Sequence, residues 1–232
     1  MPGYYYGFDW TYLVFVLPAV IFSLWASHNV TATYAKYTRV ASERGMTGYE
    51  AARLILAANG IHNVRIGRVA GNLTDHYDPK ENMIRLSDTV YDVSSAAAVG
   101  VAAHEAGHAV QYAVSYYPMK LRTVIIPLTN LGSMLAWPLT ILGIILSFES
   151  LAGIGVFLFG MIVVFQLVTL PVEFNASRRA LKVLENAGMS EEGLDAARKV
   201  LTAAALTYAA ALAAALGNFL RLLTLVNRSR RD

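Results

Sequence analysis

SSAAAVGVAAHEAGHAVQYA, residues 94–113, decides how the rest of the chain is read. The stretch is built largely of small residues and is expected to form a helix that starts at about Ser94 and runs towards the membrane. Within it, His104-Glu105-Ala106-Gly107-His108 matches H-E-x-x-H. Helical positions i and i+4 share a face, so both imidazoles can reach one Zn²⁺ at roughly 2.0–2.1 Å. Glu105, one position further round, points at the water that fills the open coordination position, where it can act as general base. The small residues Ala102, Ala103, Ala106, Gly107 and Ala109 would let a substrate and a second helix approach closely.

A catalytic zinc keeps three protein ligands and a water, so a third ligand is required. No histidine follows His108, which excludes H-E-x-x-H-x-x-G-x-x-H and leaves a carboxylate or an upstream residue. Glu173, in LPVEFNASRRA (170–180), is the leading candidate, because it is expected to open a helix directly after an apolar run. The competing explanation is a glutamate that only favours a helix N-terminus. Glu185, Glu191 and Glu192, in an ordinary polar stretch, are the alternative ligands.

Composition places this helix in a membrane protein. The 232 residues are 56% hydrophobic and 15% charged, with a mean hydropathy of +0.44, against about 25% charged in a soluble domain. Zero cysteines exclude a disulfide framework, a thiolate zinc site and a thiol nucleophile. A net charge of +3 and the absence of a nucleic-acid motif argue against a nucleic-acid partner.

Gaps in the charge pattern locate the spans. Residues 10–35 carry no Asp, Glu, Lys or Arg, and residues 10–26 suffice for a first span with Tyr4–Tyr6 as an aromatic shoulder. The start MPGYYYGFD has no basic n-region, which favours a retained helix over a signal peptide. Between Thr123 and Val172 the only charge is Glu149, so two spans are expected at 124–148 and 151–170, with a tight connection at Glu149-Ser150. Pro127, Pro138 and Asn130 suggest that the first of these is kinked and faces protein. The alanine-rich run 200–226, interrupted by Arg221, is expected to be the fourth.

The intervening segments are more polar. Thr47 and Glu50 form a capping box that opens a helix to about Ala58, stopped by Gly60. Residues 64–69 and 83–86 read as short strands joined by a polar loop with turns at Gly71-Asn72 and Asp78-Pro79. Residues 172–187 are expected to be helical up to Gly188, and Ser190 to cap the last helix. The organisation expected is a first span (1–27), a catalytic segment (28–120), two spans (121–171), a third-ligand helix (172–199) and a C-terminal apolar helix with a basic tail (200–232). Residues 28–120 and 172–199 carry nine and five Lys/Arg, whereas 1–9 carry none, which puts the catalytic segment on the cytoplasmic side of a plasma membrane. A full fourth span would put Arg228, Arg230 and Arg231 on the opposite side.

HEAGH followed 65 residues after His108 by Glu173 in LPVEFNASRRAL, together with LTDHYDP (73–79) and QLVTLPVEF (166–174), resembles the YugP-type membrane neutral zinc metallopeptidases over nearly the whole chain. The arrangement is more distantly similar to HtpX-type and CAAX prenyl proteases, whose third-ligand motif reads E-F-x-A-D. Here that motif is Glu173-Phe174-Asn175-Ala176-Ser177, with Ser177 in place of the Asp that supports a ligand histidine. The resemblance implies a zincin-like helical core with a small sheet or hairpin, His104, His108 and Glu173 on one zinc per chain, and an edge strand at Ile84-Arg85 that pairs with extended substrate. It leaves Asn175 or Ser177 to orient a ligand histidine by neutral hydrogen bonds.

His76 is a candidate for substrate binding or oxyanion stabilisation, with an Asx-capped turn as the alternative. Arg178 is a candidate to steady a ligand or the oxyanion, while Arg179, His28 and His62 read as surface residues. The function expected is that of an integral-membrane zinc endopeptidase acting on peptides or proteins by Glu105-assisted attack of zinc-bound water. The alternative is a zinc-binding membrane scaffold that keeps the protease fold without catalysis. Homo-oligomers or a membrane-protein partner are compatible with either. Glu105 favours the enzyme, because a structural site needs no base.

Overall fold

The computed structural model describes residues 10–229; the Tyr4–Tyr6 shoulder and tail residues Arg230 and Arg231 lie outside the described residues. Each long apolar run forms a helix, because hydrocarbon leaves backbone polar groups no partner outside the segment. A π-helical stretch at Tyr12–Val16 leads into α1 (Leu17–Tyr37). After α2 (Gly48–Ala58), β1 (Arg65–Val69), β2 (His76–Asp78), β3 (Met83–Ser87) and α3 (Ala96–Ala113) come three long helices. They are α4 (Tyr117–Ile145), α5 (Glu149–Asn186) and α6 (Glu191–Ser229). Four helices are long and apolar enough to cross a membrane: Tyr12–Tyr37, Tyr117–Ile145, Glu149–Asn186 and Glu191–Ser229. The chain is a mainly α membrane protein with one small sheet, as expected.

Two compact units divide these elements. One holds residues 10–25, 124–167 and 209–229 of the described chain. Its core is Ala136, Ala152, Val156, Leu158, Phe159, Leu222 and Val226. Gly132 permits close helix packing, since a Cβ there would lie 2.7 Å from the Leu158 carbonyl oxygen. Arg221, the charge inside the last apolar run, has its guanidinium 5.4 Å from the Tyr12 ring centre and 5.3 Å from that of Trp137. Cation–π contact compensates a charge that hydrocarbon would otherwise penalise. Val14, Met134, Ile154 and Phe157 point outward, as lipid-facing residues do.

The other unit holds residues 26–123 and 168–208. The Thr47–Glu50 capping box opens α2, with both reciprocal hydrogen bonds formed. The sheet order is β1-β3-β2; β1 is parallel to β3 with Ile66 opposite Ile84, and β2 is antiparallel to it with Tyr77 opposite Ile84. Ala51, Ala52 and Ile55 of α2, Ile84 and Leu86 of β3, and Val99, Ala102, Ala103 and Ala106 of α3 share a core with Ala180 and Leu184 of α5.

Three expectations need correction. Residues 76–78, read as part of a polar loop, form strand β2. Asp75 ties its start to β3 by accepting from the Ser87 amide (2.7 Å) and hydroxyl (2.9 Å), a long-range pairing invisible to local propensity. Strand β3 with Ile84 and Arg85 is central, so it is not the expected edge for substrate. Ile84 is fully buried, and Arg85 pairs with Asp78 and Glu81. Third, Glu173 does not open a helix. Alpha-5 runs unbroken through Pro171, because Val172, Ala176, Ala180 and Leu184, four residues apart, bury one stripe and outweigh the proline penalty.

Candidate active site

Three side chains from two helices converge. His104 and His108 stand one turn apart on α3, with ring centres 4.7 Å apart at 82°. Oxygen Oε2 of Glu173 on α5 lies 3.2 Å from His104 Nε2 and 3.4 Å from His108 Nε2. One ligand atom from each of the three residues lies within 4.8 Å of the others. Tetrahedral Zn²⁺ with bonds of about 2.0–2.1 Å separates its ligand atoms by roughly 3.3–3.4 Å, so the donor set fits zinc in chemistry and the two histidine–glutamate separations match it. Glu173 is 1% exposed; a carboxylate this deep must have cationic partners.

The outer nitrogen of each ring is held. Gln111, one turn past His108 on the same face of α3, is fully buried. Its Nε2 donates to the Val172 carbonyl (2.8 Å) and to Asn175 Oδ1 (3.1 Å), both pure acceptors. Its Oε1 therefore faces His108 Nδ1 at 3.0 Å and must accept from it. That pins the proton on Nδ1 and leaves the Nε2 lone pair for a metal. Asn175 Oδ1 also accepts from Arg179 Nε at 2.8 Å. Ser177 Oγ lies 3.0 Å from His104 Nδ1 and can hold that ring the same way.

Two more contacts fix the carboxylates, and the Tyr208 hydroxyl is a further hydrogen-bond partner of Glu173. The Arg122 guanidinium at the start of α4 donates to Glu173 Oε1 at 3.3 Å, so the two carboxylate oxygens have different partners. The Tyr77 amide on the outer edge of β2 donates to Glu105 Oε2 at 3.0 Å, anchoring that carboxylate beside the histidines. Burial pushes the Glu105 carboxyl up, with the two imidazoles opposing the shift. Close approach of α3 and α5 depends on Gly107, where a Cβ would lie 2.6 Å from the Ala176 carbonyl oxygen.

Residues 12–227 match the protein family described as "Putative neutral zinc metallopeptidase". The chain belongs to that family. It is similar to "Putative membrane protease YugP" of Bacillus subtilis (strain 168), 41% identical over 225 residues that cover 95% of this chain and 99% of the relative. No solved structure matches the chain.

Of the other candidates from the sequence, Asn175 and Ser177 join this cluster, whereas among the described residues no hydrogen bond or ion pair ties His76 or Arg178 to His104, His108 or Glu173. His76 is exposed on β2, with Nδ1 2.8 Å from the Thr74 carbonyl. Arg178 is exposed and lines a groove between α5 and α6. Arg179, read as a surface residue, instead joins the Asn175 network and has its guanidinium 5.9 Å from the centre of the Tyr116 ring. Gln111 and Arg122 were missed. Gln111 could have been found from its spacing, since 104, 108 and 111 share a helix face. Arg122 offers only the hint that a cation at the border of a charge-free run needs a carboxylate partner.

Proposed function

We propose that the protein is an integral-membrane zinc-dependent endopeptidase whose single zinc is held by His104, His108 and Glu173. The observation that carries this reading is the convergence of two imidazole Nε2 atoms on one buried carboxylate oxygen, with Glu105 one residue from a ligand. Zinc, when bound, supplies Lewis acidity that makes water a nucleophile near neutral pH and polarises the scissile carbonyl. Glu105 takes the proton from the attacking water and delivers it to the departing amine nitrogen. Tyr77, through its amide, keeps the Glu105 carboxylate in position for both transfers. Gln111 and Ser177 fix the rings of His108 and His104. The catalytic residues face the cytoplasm in this reading, which rests on the Lys/Arg distribution.

Full-length protein purified in detergent tests the proposal by zinc content and cleavage of casein or a peptide library. Glu105→Gln should keep stoichiometric zinc and lose 10²–10⁴-fold or more in turnover; near wild-type turnover would refute the role of Glu105. Glu173→Ala should lose zinc on dialysis, as His104→Ala and His108→Ala should, while Glu185→Ala keeps it. Full zinc retention by Glu173→Ala would remove Glu173 from the ligand set.

A further inference from the structure

We propose that the groove between α5 and α6 binds the headgroup of an anionic phospholipid. The groove has a volume of about 480 Å³, and its walls include Phe174, Arg178 and Lys182 of α5 and Arg198, Leu201 and Ala205 of α6. Pockets for small ligands are commonly about 300–1,000 Å³. Arg178, Lys182 and Arg198 are exposed, and among the described residues no ion pair engages them. Glu185 is the one carboxylate in the lining, so the groove carries a net excess of two positive charges.

Position along the membrane selects the occupant. On both helices the basic residues stand at the water end of an apolar run. Arg178 follows the run 151–170 by eight residues, about 12 Å at 1.5 Å per residue. Arg198 precedes the run 200–226 by two residues. The headgroup layer occupies about 5–8 Å on each side of a hydrocarbon core of about 30 Å. Phe174, 48% exposed, lies between the apolar run and Arg178, where an aromatic ring suits the interface. The groove thus offers apolar walls at Leu201 and Ala205, Arg198 stands at the edge of the headgroup layer, and Arg178 meets that layer by turning its flexible stem back toward the apolar run; guanidinium binds phosphate oxygens in bidentate fashion. A choline headgroup would bring its own cation against three others. Ser177 also lines the groove while its hydroxyl contacts His104, so a bound lipid sits one side chain from the candidate metal site.

Native mass spectrometry of the full-length protein in detergent, titrated with dioleoylphosphatidylglycerol or dioleoylphosphatidylcholine, tests this without reference to zinc or peptidase activity. One phosphatidylglycerol should bind at least tenfold more tightly than phosphatidylcholine. Each removed cation should cost roughly fivefold, so Arg178→Ala/Lys182→Ala/Arg198→Ala should lose the preference, and Arg178→Lys/Arg198→Lys should keep most of it. The control Arg53→Ala/Arg65→Ala/Lys80→Ala, on exposed positions of α2, β1 and the turn before β3, should bind like wild type. Equal binding of the two lipids, or an undiminished preference in the triple alanine variant, would overturn the proposal. So would displacement of phosphatidylglycerol by equimolar inorganic phosphate, which would mark a free-anion site, or by an acidic peptide, which would mark a peptide groove.

Discussion

At the scale of single residues, the polar chain His108–Gln111–Asn175–Arg179, buried at its histidine end, sets ring orientation without a carboxylate. Ser177 offers His104 a neutral hydroxyl, which raises ligand basicity less than a carboxylate does. Gln111→Leu keeps the volume and removes the acceptor for His108 Nδ1. It should weaken zinc binding by roughly 10–100-fold in a chelator competition, and unchanged affinity would show that packing alone orients the ring. Arg122→Met removes the cation on Glu173 Oε1. A buried carboxylate left without it is costly, so metal-free protein should lose stability. Zinc should restore more of that loss than it gives wild type, as differential scanning fluorimetry with and without chelator would show.

At the scale of elements, the site depends on how closely α3 and α5 approach. Alanine is the better helix former by about 1 kcal/mol, so local propensity predicts that Gly107→Ala stabilises. The 2.6 Å approach to the Ala176 carbonyl predicts the opposite. Overpacking of this kind costs about 1–3 kcal/mol, and the shift of α5 would carry Glu173 away from the histidines. The expected result is a lower thermal midpoint together with lost zinc. A raised midpoint with full zinc would mean that the helices slide apart without consequence. Strand β2 matters similarly: its outer-edge amide at Tyr77 reaches Glu105, while β3, the strand that sequence singled out, is buried in the middle of the sheet.

At the scale of the whole molecule, the basic residues of 28–120 and 172–199 predict one cytoplasmic face. The chain has no cysteine, so Asn63→Cys and Asn186→Cys each introduce a single exposed thiol. Both should resist an impermeant maleimide in intact cells and react after permeabilisation; labelling of Asn63→Cys from outside would reverse the orientation. Sequence by itself determined the membrane class, the four apolar helices, the α2 capping box and the helix carrying HEAGH, because each depends on composition or on spacing within one segment. The tertiary structure decided what depends on contacts between segments. Glu173 lies in mid-helix because a buried stripe of α5 overrides Pro171, and β3 is central because β2 forms only against it. Gln111 and Arg122 gain their roles only when α5 lies against α3 and the start of α4. Local chemistry writes helices and motifs into adjacent residues, whereas the partner of a buried polar atom is chosen by packing 50 to 70 residues away, between residues such as Arg122 and Glu173 or His104 and Glu173.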